Sequence, residues 1–457
     1  MNTLIALAGL AVLILVLEII NLRKTIVPLT ILGLLAALGF TFCDTQILSE
    51  NYNNMIVETN FSRMFSSLFI VITILIVAMG QDFYKETYDK ISDYTSLKLF
   101  LLIGAVSMVS FGNLTMFFIG LEILSITLYI LVGSNPTKIK SNEAGMKYFL
   151  LGSFASGFIL FGIALIYGAT ASFDLNTISN ALLNPETPNF LSLGVVLVCI
   201  GMLFKIAAFP FHFWAPDVYQ GSPTLTTATM STLAKVAAMA TLFKIHSIFA
   251  SYMSDSFTVL LICLAIATMF VGNIMALKQD NIKRMLAYSG ISHAGFMMIA
   301  LFNTTNAAAE LFYYAAAYSF ASIAAFAIII AVCKNYKDEK IKHFKGLGKQ
   351  NPLMAAVFTM ALLSMAGIPI FAGFFGKFFL FGSALESGHL ELVIFGVINS
   401  IISVYYYFKV INAMYTQEAI SELPKTNHSW IYKTVAVVAI LLNIAMGLCP
   451  SSILNLF

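Results

Sequence analysis

The sequence predicts an all-α polytopic membrane protein, and three observations carry that prediction. Of 457 residues, 59% are hydrophobic and only 10% are charged. Soluble domains carry about 25% charged residues, so this chain cannot coat a water-facing surface, and the same shortage excludes a disordered chain. Apolar runs recur from end to end, each near the roughly 20 residues that a membrane-spanning helix needs. Finally, the runs do not alternate apolar and polar residues as a transmembrane barrel must. Counting the runs gives about 14 transmembrane helices by that span length.

The runs can be taken in order. The first, 3–21, is followed by Arg23 and Lys24. With no positive stretch before it and no A-x-A site behind it, it reads as an uncleaved first span, not a signal peptide. The second and third lie at 26–43 and 64–80, the third closed by Lys85 and Lys90. Spans at 97–112 and 113–133 are divided only by Gly112-Asn113, so the count runs from thirteen to fifteen. Lys138 and Lys140 precede the sixth at 146–171, and the seventh occupies 190–214. The eighth, 224–249, opens behind Ser222-Pro223, which reads as a helix cap and first-turn proline. Lys278, Lys283 and Arg284 separate 256–277 from 284–302. The eleventh, 307–333, leads into the longest polar loop, which is basic from Lys334 to Lys349. Runs at 352–385, 389–415 and 430–450 complete the set, and no connection could fold as a separate soluble domain.

Charge placement orients these spans. Loops after odd-numbered spans hold Arg23, Lys24, Lys85, Lys90, Lys98, Lys138, Lys140, Lys147, Lys278, Lys283, Arg284 and the Lys334–Lys349 cluster. Loops after even-numbered spans hold almost none, Arg63 and Lys244 being the nearest cases. The positive-inside rule therefore puts the odd loops in the cytoplasm and both termini on the opposite side. The five cysteines, Cys43, Cys199, Cys263, Cys333 and Cys449, are scattered singly and read as packing residues. There is no P-loop, nucleotide fingerprint, haem CxxCH or iron–sulfur spacing. The expectation is a chain without its own cofactor or metal, embedded in lipid and not bound to nucleic acid.

Four ionisable residues lie deep in apolar runs: Glu122, Lys205, Lys235 and Lys377. Each costs about 2.5–3.5 kcal/mol at a helix centre. Such charges are tolerated when they face a bundle interior, a partner or a water-filled cavity. A buried lysine can gain and lose a proton near neutral pH, the property a proton relay needs. Ser125 lies one turn beyond Glu122, and Ser231 and Thr232 share a helix face with Lys235. A static ion pair is the alternative, but one glutamate cannot cover three lysines.

Two prolines accompany the lysines. Pro210 follows Lys205 and should free the carbonyl of Ile206; Pro369 precedes Lys377 and should free that of Met365. Broken helices at mid-membrane line cavities and mark ion sites, although a packing kink is the simpler role. The segments AAFPF at 207–211 and AGIPI at 366–370 resemble each other five spans apart, and an odd separation implies an inverted repeat. His293 lies near the cytoplasmic end of its span and could pass a proton between its two nitrogens or serve as a core residue. His212 and Asp217 belong to the connection after span seven and read as structural.

The segments LFKIAAFPFHFWAPDVYQGSPT, IMALKQDNIKRMLAYSGISHAGFMM and MAGIPIFAGFFGKFFLF resemble the antiporter-like membrane subunits of respiratory complex I. The resemblance covers most of the chain, from the fourth span to the thirteenth, while the first three spans are weakly diagnostic. It implies two inverted five-helix repeats with broken helices at spans 7 and 12. Residues 1–96 would hold helices 1–3, 97–250 the first repeat, 251–415 the second, and 416–457 helix 14. It further implies that Glu122 is the acidic partner of Lys205, Lys235 the central relay lysine, His293 a link along the axis and Lys377 the terminal proton site. Within the family, the lysine at 377 and the absence of a long lateral helix after span fourteen distinguish this chain from its two larger siblings. The implied activity is proton translocation driven by quinone reduction in a bacterial inner membrane, beside sibling antiporter-like subunits. NADH or another donor, FMN, iron–sulfur clusters and quinone would belong to the wider complex. A multisubunit sodium/proton antiporter and a membrane-arm subunit that has lost transport are the other two classes.

Overall fold

The computed structural model describes residues 2–457 apart from 43–53, 183–187, 189, 251, 304–305, 335, 337 and 419–429. Cys43 and part of the basic loop near Lys337 therefore lie outside the described residues. Six helices open the chain: α1 Asn2–Ile19, α2 Arg23–Phe40, α3 Asn60–Phe83, α4 Ile91–Ser110, α5 Leu114–Val132 and α6 Ile139–Thr170. A short α7, Leu175–Ala181, precedes α8, Phe190–Ile206, and α9, Trp214–Gly221. Next come α10, Thr224–Thr229, a π-helical turn at Met230–Ala234, and α11, Lys235–Phe249. Then follow α12 Asp255–Leu277, α13 Ile282–Met298, α14 Ala307–Cys333 and α15 Leu347–Gln350. The last five are α16 Pro352–Ala366, α17 Ala372–Glu386, α18 Leu390–Thr416, α19 Trp430–Leu448 and α20 Pro450–Leu454. Each of the fourteen apolar windows falls on a helix or a broken pair of helices. Eleven of the described helices are long and apolar enough to cross a membrane.

Polar residues between the apolar runs start these helices. Thr59 caps α3 in a reciprocal capping box with Ser62, Asn113 accepts from the Thr115 amide at the head of α5, and Asn281 accepts from Arg284 at the head of α13. Each side chain satisfies an amide that has no intrahelical partner. Asn113 thus explains why the apolar stretch 97–133 breaks into two spans. Ser222 differs from expectation. Its hydroxyl bonds the Tyr219 carbonyl and the Thr227 hydroxyl instead of capping α10, whose first residue is Thr224.

The chain forms two compact units. The first comprises residues 1–207 and 233–261; the second comprises 208–232 and 262–457. In the first unit, small residues let helices touch backbone to backbone. A Cβ on Gly104 would sit 2.7 Å from the Gly120 carbonyl oxygen, and one on Gly162 would sit 2.6 Å from that of Gly194. Close approach through small residues is how helices associate where lipid removes the hydrophobic drive. The α6 helix leaves Leu150, Phe154 and Phe161 exposed on its outer face. In the second unit α14 is the axis. Its most apolar window is buried all round, as a helix apolar on every side requires, and α16, α17 and α19 pack against it.

Candidate functional site

In the first unit the site forms around Lys205, at the last turn of α8 and 9% exposed. Its ammonium donates to the Ser125 hydroxyl at 2.7 Å, and to the Tyr129 and Ser156 hydroxyls at 3.4 Å each. Ser125 and Tyr129 are one turn apart on α5, so one helical stripe presents both. Gly152 of α6 makes room for this arrangement, because a Cβ there would collide with the Tyr129 hydroxyl. Glu122 occupies the same helix one turn before Ser125, yet it forms no ion pair with Lys205. One of its carboxylate oxygens is buried and accepts no hydrogen bond. Glu122 instead borders a shallow hollow lined by Phe100, Phe118, Ile119 and Ile126. The structure therefore brings Lys205 to hydroxyls and leaves the glutamate nearby but apart.

Lys235 is 3% exposed and follows directly after the π-helical turn. Such turns insert an extra residue and are frequent at functional sites. The Ser231 and Thr232 hydroxyls that share its segment both donate to the Ala228 carbonyl, at 3.0 and 2.7 Å. They are thus already bonded to their own helix.

The second unit holds the other broken helix. The α16 helix stops at Ala366, and Gly367 ends it in the left-handed conformation, φ 88°. The Gly367 and Ile368 amides fold back to the Leu363 carbonyl, both at 3.1 Å. The helix is therefore terminated by a left-handed glycine, with Pro369 two residues beyond where it cannot resume the helix. Pro210 likewise lies outside α8, behind Ala207 at φ 60°. Both prolines were expected to break their helices from within; the helices do break there, and each proline follows the helix end. The carbonyls at one break are used by a lysine. Lys377, 5% exposed on α17, donates to Met365 O at 3.4 Å and Ala366 O at 3.1 Å. A cation on the last carbonyls of a helix also meets the negative end of its dipole. Lys377 Nζ lies 4.6 Å from the centre of the Phe296 ring. At the other break, the Phe209 amide donates to Thr268 on α12 at 3.0 Å.

His293, 3% exposed on α13, is the centre of a hydroxyl chain. Its Nδ1 meets the Tyr314 hydroxyl at 2.7 Å and its Nε2 meets the Tyr407 hydroxyl at 3.1 Å. Tyr407 in turn meets Ser289 at 2.5 Å. Hydroxyls and a neutral imidazole each donate and accept, so the series can pass a proton from one end to the other. Asp217 and Arg284 make the ion pair that ties α9 to α13, at 2.6 Å.

The chain's relatives fit this geometry. Residues 112–403 match the family described as NADH:quinone oxidoreductase/Mrp antiporter, transmembrane. The chain is 58% identical over 456 residues to NADH-quinone oxidoreductase subunit N of Flavobacterium psychrophilum, covering 100% of each. It is 42% identical over 461 residues to the protein of the same name from Cytophaga hutchinsonii, covering 100% of this chain and 99% of that one. The chain belongs to this family. Among solved structures, a chain of respiratory complex I from Thermus thermophilus with bound aureothin matches at TM-score 0.83 and 30% identity, over 99% of this chain and 98% of that one. A chain of the archaeal membrane-bound sulfane sulfur reductase matches at TM-score 0.89 and 27% identity, over 99% and 95%.

Against the family's expected residues, the structure adds several that the sequence concealed. Lys98, counted as a loop residue, is 3% exposed inside α4, with its ammonium 4.7 Å from the Tyr84 ring centre. Lys283, likewise assigned to a loop, is 1% exposed, donates to the Ser222 carbonyl at 2.6 Å and pairs with Glu339 at 3.6 Å. Lys244 closes the end of α4 by donating to the Val109 and Phe111 carbonyls at 3.0 and 2.6 Å. Glu310, Tyr314 and Tyr407 were missed outright. Glu310 could have been found, since it lies inside the apolar run 307–333; the two tyrosines carry no signal among nineteen.

Proposed function

We propose that this chain is a proton-translocating subunit in the membrane arm of an NADH:quinone oxidoreductase, without a redox centre of its own. The observation that carries the reading is the housing of the lysines: Lys205 is buried on three hydroxyls and Lys377 on the carbonyls of a broken helix. Ion pairing would hold a proton in place, whereas neutral partners let it leave. Full-length similarity to subunit N relatives supports placing the chain in that complex, beside other antiporter-like subunits. Donor oxidation, flavin and iron–sulfur chemistry would then occur in partner subunits, and energy would reach this chain as a shift between two states of the relay. In this reading Glu122 sets the charge near Lys205, Lys235 is the central relay lysine, and His293 leads to Lys377. The basic odd-numbered loops face the cytoplasm.

The test is Lys235→Ala in the assembled complex, reconstituted in sealed vesicles. Proton uptake driven by NADH and quinone is expected to fall sharply while the subunits still co-purify. Wild-type uptake by an assembled variant would refute the relay. Sodium-dependent proton flux by the chain and its partners without an electron donor would move the reading to an antiporter.

A further inference from the structure

A buried carboxylate that no role above uses lies at one end of the second unit. Glu310, in the first turn of α14, is 6% exposed. The Ser383 hydroxyl of α17 donates to one of its oxygens, and Asn303 Nδ2 donates to the other at 2.9 Å. Neither partner carries charge, and no lysine or arginine pairs with Glu310 among the described residues. Burying an ionised carboxylate without a cation is expensive, and a neutral side chain could fill the same place for structure alone. A carboxylate there earns its position only if its charge is used.

Its position says how. Tyr314, the His293 partner, lies one turn further along α14 on the same face. Gly376 packs against it so closely that a Cβ would fall 2.7 Å from Tyr314 Cδ2. Lys377 follows Gly376, and Ser383 is two turns further along α17 on the same face as Gly376. The seam between α14 and α17 therefore sets Gly376, the neighbour of Lys377, against Tyr314, and then Glu310 against Ser383. The two levels are four residues apart on α14, about 6 Å along its axis, and six from Lys377 to Ser383 on α17, about 9 Å. Beyond Ser383 the charged groups are exposed Glu386, then His389 with Glu391 at 3.2 Å. The nearby ends of α19 and α20 bring no charged side chain to this level. Both connections that meet here, after spans ten and twelve, are even-numbered.

We propose that Glu310 is the carboxylate that receives a proton between Lys377 and the even-loop face of the membrane. The Lys377 ammonium gives up its proton through the Tyr314 hydroxyl or water and becomes an amine, while the Glu310 carboxylate becomes a carboxylic acid. Glu310 then releases the proton toward Glu386 and His389, and Lys377 is recharged from the His293 side. Ser383 and Asn303 are positioning residues that hold the carboxylate at the seam.

The inference rests on the proton-translocation reading, and its test separates the two. Glu310→Gln, Glu310→Asp and Lys377→Ala are compared in the assembled complex in sealed vesicles. Glutamine keeps the bond from Ser383, and Asn303 can turn its unpartnered Oδ1 to accept from the new amide. Expected is a loss of NADH-driven proton uptake in Glu310→Gln as deep as in Lys377→Ala, with partial recovery in Glu310→Asp. Wild-type uptake in Glu310→Gln beside a dead Lys377→Ala overturns the Glu310 role alone; wild-type uptake in both overturns the broader reading. If Glu310→Gln does not assemble, Ser383→Ala decides. It keeps the carboxylate but removes a donor that favours its ionised form, so the pH profile of uptake is expected to move, and an unmoved profile overturns the proposal.

Discussion

Tyr314→Phe offers a clean separation of relay from scaffold, because its neighbour supplies a matched control. Tyr313 and Tyr314 are consecutive on α14 and are 0% and 1% exposed. Tyr313 donates to the Met446 carbonyl at 2.8 Å, whereas Tyr314 meets His293 Nδ1 at 2.7 Å. Either substitution by phenylalanine keeps the ring, removes one hydroxyl and leaves one buried partner short of a bond. The cost to stability should therefore match, about 1–3 kcal/mol for each. Only Tyr314→Phe cuts the series from Ser289 through Tyr407 and His293. A positioned proton-transfer group contributes about 10²–10⁴ in rate, so NADH-driven proton uptake should fall about 100-fold, the lower end of that range. Tyr313→Phe should lower assembly or thermal stability equally and leave uptake per assembled complex unchanged. The assay is proton uptake into sealed vesicles, normalised to assembled complex. Equal uptake in the two variants would refute the hydroxyl series as a proton path.

Two further predictions follow from local geometry. Gly367→Ala places a Cβ at φ 88°, 3.2 Å from Lys377 Cδ and Nζ; the backbone strain alone is about 1–2 kcal/mol. The variant should lower both thermal stability and proton uptake, and a fully active complex would show that the glycine turn does not position Lys377. Outside the membrane spans, Asp338 bonds His343 at 2.5 Å, and that bond, then Lys340, holds its carboxyl below the usual range. Because the folded-state value is the depressed one, the stabilisation is present above the unfolded value of about 3.9 and fades as pH falls through the folded one. Melting temperatures of wild type and Asp338→Asn should thus differ at neutral pH and converge below about pH 4; a difference that persists in acid would assign the effect to something other than ionisation.

How much of this was legible beforehand depends on the kind of signal. Spans show in sequence because lipid demands long apolar runs, and the fourteen windows fall on helices or broken pairs. The lysines at 205, 235 and 377 show because a charge in such a run is conspicuous. Lys98 and Lys283 do not, since each stands near the end of a run and is indistinguishable there from a loop lysine. Burial for them is decided by neighbouring helices, Gly80 and Tyr84 for Lys98 and Ser222 for Lys283. The hydroxyl partners were legible only where they lie on the same helix as a charge, as Ser125 does with Glu122. Ser156, Tyr314 and Tyr407 reach their partners across helices, and no spacing along the chain encodes that. The prolines were read correctly as breaks, though each was expected inside its helix and lies beyond the helix end. A left-handed residue had already ended each helix, and Ala207 gives no hint of that conformation.

The two lysine environments share a property that bears on mechanism. Ser125, Tyr129 and Ser156 at Lys205, and the Met365 and Ala366 carbonyls at Lys377, are all neutral. Hydroxyls accept from an ammonium and donate to an amine, while carbonyls accept from either form. Such partners stabilise the side chain's place without fixing its charge. A carboxylate at 4 Å would instead favour the ammonium by about 4 kcal/mol at an effective dielectric of 20, nearly a thousandfold in proton affinity at about 1.36 kcal/mol per decade. A lysine so paired would load readily and release poorly. Glu122 is on the same helix as two of the Lys205 partners yet out of ion-pair contact; under the proposed relay, its approach would load Lys205 and its withdrawal would release it. In that reading, the separation of that charge from the lysine would be the quantity an external driving force has to change.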